Sequence, residues 1–449
     1  MTATPEHTGT PQHRPGPGRA TTPGRADRPS GDGTPKGPLW VLLLASTLTV
    51  LAGAVLAPVV ELLRSDLGIS TGAAGLVLTA HGLSLALVGP LVGRAIDRWG
   101  VPGPLAAGLV LYGLAGGAGL LIDDYVPLLA SRLVFGIGAA AVFAGTTLGL
   151  LDLAEGPARD RMMGWRTTAI SLGGVLWPLL GGALGAISWQ APFAVYLLGV
   201  PLGLVTLRVL STSEHDRRRR TTGPTRPASL PRPVNPPTAR KASAPSVPGH
   251  GTPVRPEPPS LWRSGLLGSY GLQAMATALL YGVLVFLPPR LAEVGVRDSF
   301  RVALFGALLS LVMSLTGLRF AWFRARFGGS GLLRLAFGAW TVALLVFALG
   351  TSPIVLLVAP VVFGFGMGLT LPVLTVLVAE QAPPGRRGQA TALLGTATFA
   401  SQFASPLLFG PVEAATSASG VFLVASALAA LSLLAVIAAG PRLGARRPR

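Results

Sequence analysis

The sequence predicts an all-α membrane protein, with twelve transmembrane helices in two pseudo-symmetric six-helix bundles. Half of its residues are apolar and only 12% are charged, against roughly a quarter in a soluble domain. So little charge leaves too little polar surface to coat a soluble globule. The apolar residues fall into runs of about 20, the length that crosses about 30 Å of hydrocarbon as a helix. One segment also recurs at equivalent positions in the two halves.

Residues 1–38 are rich in Pro, Gly, Thr and Arg. They cannot bury enough apolar surface to offset ordering entropy and read as a disordered cytoplasmic tail. The tail lacks the apolar core and cleavage site of a signal peptide, so helix one is expected to act as an uncleaved anchor. The first bundle, 39–211, holds apolar runs at 39–61, 71–93, 103–122, 126–151, 164–186 and 190–210. The second, 261–440, holds 263–288, 299–319, 330–349, 353–379, 387–410 and 417–440. Between them, 212–260 opens with Arg217, Arg218, Arg219 and Arg220 and then turns Pro-rich. It reads as a disordered, semi-extended cytoplasmic linker. Residues 441–449 form a basic cytoplasmic tail.

Orientation follows from the placement of positive charge. The tails, the linker and loops 2–3, 4–5, 8–9 and 10–11 hold nearly all of the arginines. The opposite loops hold Arg64, Arg290, Arg297 and Arg301, and loop 3–4 carries Asp123 and Asp124. Both termini are therefore expected in the cytoplasm, in agreement with an even helix count. Loop 7–8 is the exception, with three arginines on the outside.

The net charge of +18 does not signal nucleic-acid binding, because no folded basic domain presents it. Zero cysteines exclude disulfides, thiolate metal sites and cysteine nucleophiles. No metal-ligand spacing or catalytic dyad lies within the helices, so no enzyme, metal or cofactor is expected. No phosphate-binding loop of the type G-x-x-x-x-G-K-[ST] occurs, so any transport would be secondary. Lys36 and Lys241 are the only lysines, and the chain has 59 glycines and 40 prolines. This composition suggests a GC-rich bacterial genome and hence a bacterial cytoplasmic membrane.

The internal repeat pairs Trp177-Pro178-Leu179-Leu180-Gly181-Gly182 in helix five with Ser405-Pro406-Leu407-Leu408-Phe409-Gly410 in helix eleven. Each follows a short arginine-bearing loop. Parallel six-helix repeats of this kind build one large transporter fold. Loop 2–3 reads Gly93-Arg94-Ala95-Ile96-Asp97-Arg98-Trp99-Gly100. It resembles G-x-x-x-D-R-x-G, the signature loop of the major facilitator superfamily, although Val101 and Pro102 replace the basic residues that follow in the family. The resemblance implies that Gly93, Asp97, Arg98 and Gly100 form a cytoplasmic gate, with Asp97 against the positive N-terminus of helix eleven near Gly385. A solvated turn is the plainer alternative.

Helix four carries Arg132-Leu133-Val134-Phe135-Gly136-Ile137-Gly138, similar to the family's R-x-x-Q-G-x-G with Phe135 in place of glutamine. In the family this arginine is linked to proton transfer. Snorkelling to the outer interface is the alternative. Helix five carries Gly164, Gly173, Pro178, Gly181 and Gly182 at the spacing of the superfamily's antiporter motif, G-x8-G-x3-G-P-x2-G-G, with Trp177 where glycine is expected. Trp177 would then face either the cavity or the seam between the halves. Small residues also stripe one face of helix two (Gly75, Thr79, Gly82, Ala86, Gly89, Gly93), helix eight (Gly306, Ser310, Ser314, Gly317) and helix eleven (Gly388, Ala392, Thr396, Ala400, Ala404). In the family, helix five packs on eight and two on eleven, and small faces allow such close approach.

Candidate cavity residues are Trp177, Gln273, Tyr281 and Gln402, beside Thr47, Tyr270 and Trp340. Both glutamines could instead make interhelical hydrogen bonds. Coupling candidates are Arg132, Glu61 and His81. His81 titrates near neutrality but could simply bond a neighbouring helix. Deep carboxylates are nearly absent, which weakens the case for proton coupling. The resemblance is to the twelve-helix drug:proton antiporters. It implies a monomer in the bilayer that expels small, largely apolar compounds in exchange for protons by alternating access. The alternatives are a small-solute uniporter or symporter, or a sensor or scaffold that transports nothing.

Overall fold

The computed structural model describes residues 36–153, 157–221, 264–383 and 386–439. Among them, twelve helices are long and apolar enough to cross a membrane, and no strand occurs. They are α1 (Gly37–Leu67), α2 (Thr71–Trp99), α3 (Pro102–Leu120), α4 (Tyr125–Leu153), α5 (Arg161–Gly185), α6 (Ala191–Leu210), α7 (Gly265–Glu293), α8 (Ser299–Leu318), α9 (Phe320–Leu349), α10 (Pro353–Gln381), α11 (Arg387–Ala415) and α12 (Ala418–Ala438). The face that carries connections 2–3, 4–5, 8–9 and 10–11 is called inner below, and its opposite outer.

Local chemistry sets the helix ends. Ser70 caps α2 by accepting from Ala73 N at 3.2 Å, and Asp298 caps α8 by accepting from Arg301 N at 2.8 Å. α2 runs unbroken through Trp99 and stops at Gly100, whose φ of 78° suits glycine alone. The signature segment expected as a loop therefore forms the last two turns of α2. Only Gly100 and Val101 separate it from α3. α9 starts at Phe320, not near 330, because a short arginine-bearing helix precedes its apolar run. Gly328, at φ 66°, turns the chain between the two pieces. Beyond α6 the helix continues to Thr221, past the expected linker boundary at 211. The rest of the linker, most of the N-terminal tail and the whole C-terminal tail lie outside the described residues.

α1 is not continuous. Its regular helix ends at Ala54, a 3-10 turn spans Ala57–Val59, and a short helix follows at Val60–Leu67. Pro58 has no N–H to continue the ladder. Backbone carbonyls released in the hydrocarbon must find other donors. Ala52 O accepts from Tyr196 Oη at 2.9 Å and from Arg132 Nη2 at 3.3 Å.

Small faces carry the packing between the halves. α2 lies along α11 and α5 along α8, the pairing implied by the family resemblance. α9 packs on α10 and α12 and is buried through Phe337, Trp340 and Phe347.

Candidate functional site

The two seams between the halves close at the outer face and part at the inner one. At the outer end of α5, a Cβ on Gly182 would lie 2.6 Å from Ala303 Cβ and 2.7 Å from Ser299 O of α8. A Cβ on Gly185 would lie 3.0 Å from Ser299 Oγ. Further in, Gly174 faces Ser310 at 3.4 Å and Gly306 faces Pro178 at 4.0 Å. At the inner end, Gly164 has nothing within 4 Å. α2 and α11 behave alike. Cβ atoms built on Gly72 and Gly75 would lie 3.3 Å from Gly410 Cα and 3.0 Å from Pro406 Cβ, whereas Gly89, Gly93 and Gly388 face open space.

Among the described residues, two side-chain hydrogen bonds tie the halves together. Thr71 Oγ1 donates to Glu413 Oε1 at 2.9 Å near the outer face. Deeper, His81 Nε2 lies 2.9 Å from Gln402 Nε2, with both side chains nearly fully buried. In that pairing the amide donates and an unprotonated ring nitrogen accepts. The His81 backbone is held against Gly136 of α4, where any Cβ would lie 2.5 Å from His81 O. Phe135 stands edge-on to the His81 ring, 5.6 Å between centroids.

Behind Phe135 lies Arg132, fully buried. It does not snorkel. Its guanidinium carbon sits 4.0 Å from the Phe135 ring centroid, 4.7 Å from Tyr196 and 5.7 Å from Phe193. An arginine at mid-membrane costs about 2.5–3.5 kcal/mol on insertion scales. Each desolvated cation–π contact returns up to about 2 kcal/mol. The aromatic box therefore covers most of that cost with no carboxylate. Nε and Nη1 remain unpaired.

The other residues singled out in the sequence fall as follows. Asp97 is exposed on the last turn of α2, as is Arg98, and Asp97 has no hydrogen-bond or ion-pair partner among the described residues. It does not touch the start of α11, because the halves are apart at that face. Glu61 is held by Arg64 through a two-point ion pair at 2.7 and 2.9 Å. Trp177 faces neither the seam nor an open cavity with its polar edge. Its Nε1 donates to Thr47 O of α1 at 3.0 Å, and Gly173 makes room for the ring. Gly181 lies so close to Val55 O that no Cβ fits. Gln273 bonds within its own helix, Nε2 to Thr277 Oγ1 at 3.2 Å, with Oε1 buried and unpaired. Tyr281 of α7 reaches across to Gly53 at the break in α1, 3.7 Å from a Cβ built there. Trp340 is buried in the second half, bonded to Phe363 O, away from the gap.

Two features escaped the sequence reading. Phe143 of α4 meets Phe399 of α11 edge-on at 5.5 Å, bridging the halves. Arg166 of α5 lies over Phe143, 5.6 Å from the ring centroid. Arg166 follows Arg159 and Arg161 so closely that it reads as one more loop charge.

The model of the Major Facilitator Superfamily matches residues 42–406. The chain is 28% identical over 177 residues to Multidrug resistance protein 1 of Bacillus subtilis (strain 168), covering 38% of this chain and 45% of that protein. It is 26% identical over 184 residues to Quinolone resistance protein NorA of Staphylococcus aureus (strain Mu50), covering 41% of this chain and 47% of that protein. These matches span less than half the length of either relative. Among solved structures, a D-xylose-proton symporter superposes with a TM-score of 0.69 at 17% identity, covering 92% of this chain and 99% of the symporter.

Proposed function

The chain belongs to the Major Facilitator Superfamily and is a multi-pass membrane transporter rather than an enzyme; from that premise we propose that it expels small, largely apolar compounds across a bacterial cytoplasmic membrane in exchange for protons. The observation that carries this reading is the asymmetry of the two seams, closed around Gly182 and Gly75 and open around Gly164 and Gly93. A pair of bundles in that arrangement offers a binding gap to one side only. Rocking the bundles about the middle of the membrane would offer it to the other. With the termini cytoplasmic, the open side is the cytoplasm, which suits uptake of cargo for export. The names of the two resistance proteins support efflux. The chain is proposed to act as a monomer.

In this scheme His81 carries the proton. It is the titratable side chain deep in the junction of the halves, whereas Glu413 lies near the outer face, bonded by Thr71, Glu61 is held by Arg64 and Arg132 by aromatic rings. A proton on Nε2 would set donor against donor at Gln402, so the pair must break or the amide turn over. Where the pair breaks, protonation loosens the contact between α2 and α11. Asp97 would act in the opposite state, when the inner ends close and bring it to the first turn of α11. The test is efflux from everted vesicles with a panel of small apolar compounds, with and without a proton uncoupler. Uptake that collapses on uncoupling is expected. Transport indifferent to the uncoupler would remove the proton, and transport of nothing in the panel would remove the substrate class.

A further inference from the structure

Building on the transporter reading, we propose that Arg166 makes the inner gap a binding site for organic anions, so that the cargo is an amphipathic compound with a carboxylate or comparable acidic group on an apolar body. Three observations lead there. First, Arg166 is mostly buried in the inner half of α5, and its Nε and Nη2 are both buried with no hydrogen-bond partner. Nε–H and one Nη2–H point the same way along one edge of a guanidinium, the edge that takes a carboxylate in two parallel hydrogen bonds. A buried polar group left unpaired costs free energy, more so when charged. An anion arriving at that edge relieves the cost, and a cation worsens it.

Second, Arg166 borders the gap between the bundles. Its guanidinium lies over Phe143, and Phe143 touches Phe399 of the opposite half. Phe143 is 43% exposed, so its ring has room to swing aside and uncover the donor edge. The two rings then supply an apolar wall beside the charge. Third, nothing fixed in the protein competes for the cation. Every described Asp and Glu of the twelve helices lies within two turns of a helix end, and none bonds Arg166. Arg132, the fully buried charge of α4, is also positive. Low-dielectric walls lined by one sign of charge concentrate the opposite sign.

An anionic lipid headgroup of the inner leaflet presents the same chemistry, and the test separates the two. Purified protein in proteoliposomes is offered an aryl carboxylate, its neutral amide and a lipophilic aryl ammonium of matched size. Wild type should carry the carboxylate at least tenfold faster than the amide. Arg166→Gln should erase that preference, and Arg166→Lys should keep part of it. Equal transport of acid and amide by wild type would overturn the proposal, as would an unchanged preference in Arg166→Gln. If only the ammonium is carried, transport stands and the anion site falls. In lipid-free detergent, the aryl carboxylate should raise the melting temperature of wild type and leave Arg166→Gln unmoved. This arm requires no transport, so it distinguishes failure of the site from failure of the transporter reading. Stabilisation by phosphatidylglycerol but not by the carboxylate would assign Arg166 to lipid and overturn the proposal.

Discussion

Gly182→Ala adds a methyl group where the outer seam has no room. The new Cβ would lie 2.6 Å from Ala303 Cβ and 2.7 Å from Ser299 O, roughly an ångström inside ordinary contact, and one of those neighbours is backbone that cannot swing away. Overpacking of this kind costs about 1–3 kcal/mol. The cost falls only on the state whose outer seam is closed. Each 1.4 kcal/mol is tenfold in an equilibrium, so the ratio of outward-facing to inward-facing molecules should rise about 5- to 150-fold. The chain has no cysteine, so a single reporter needs no altered background. Val285 is buried at the outer end of the other seam, against Gly75 of the opposite half, which must open together with the one at Gly182 when the bundles rock. A cysteine there should react with an impermeant maleimide much faster when Gly182→Ala is also present. Gly164→Ala, made where nothing lies within 4 Å, should leave the labelling slow or slow it further, because it burdens only the state with a closed inner seam. Equal labelling rates in Gly182→Ala and its parent would refute the reasoning.

Three other outcomes are expected. Asp97→Asn should depress transport by up to about 30-fold at matched expression, since a carboxylate at a helix N-terminus contributes up to about 2 kcal/mol when partly buried; unchanged flux removes Asp97 from the cycle. Arg132→Lys should lower thermal stability, because lysine cannot stack in the Phe135–Tyr196 box or reach Ala52 O in the same geometry; a melting temperature equal to wild type would mean that the box contributes nothing. Trp177→Phe should destabilise by about 0.5–1.5 kcal/mol through loss of the bond to Thr47 O with substrate preference intact; a changed substrate panel would put the indole on the cargo.

The twelve helices were legible because hydrocarbon thickness fixes their length, whatever the residues. The exceptions have local causes. The start of α9 is obscured in the sequence because Arg324 and Arg326 interrupt its apolar run. The end of α2 is obscured because Arg94 and Asp97 look like loop residues although they continue the helix. The motif glycines divide: Gly182 and Gly75 meet the opposite half, whereas Gly173 and Gly181 press on α1 of their own half, a difference that spacing alone does not encode. Partners were not legible. His81 and Gln402 both stood out as polar residues in apolar helices, yet their pairing spans 321 positions that no local pattern links. Trp177 was expected at the seam or the cavity, but the break in α1 and the space at Gly173 draw it to Thr47. Asp97 illustrates another limit. If Asp97 serves the state with closed inner ends, as proposed, it stands alone in this one, and the sequence does not say which state is seen.

Reciprocal motion of the two faces is the central claim, and paired spin labels measure it directly. One pair sits at the outer ends, on Ser65 and Ala415, and one at the inner ends, on Arg98 and Gln389; all four positions are exposed. Distances are taken by pulsed electron resonance at low and high pH, with and without transported compound. The outer distance should lengthen under the conditions in which the inner one shortens. Distances that stay fixed, or that lengthen together, would contradict alternating access by these two bundles.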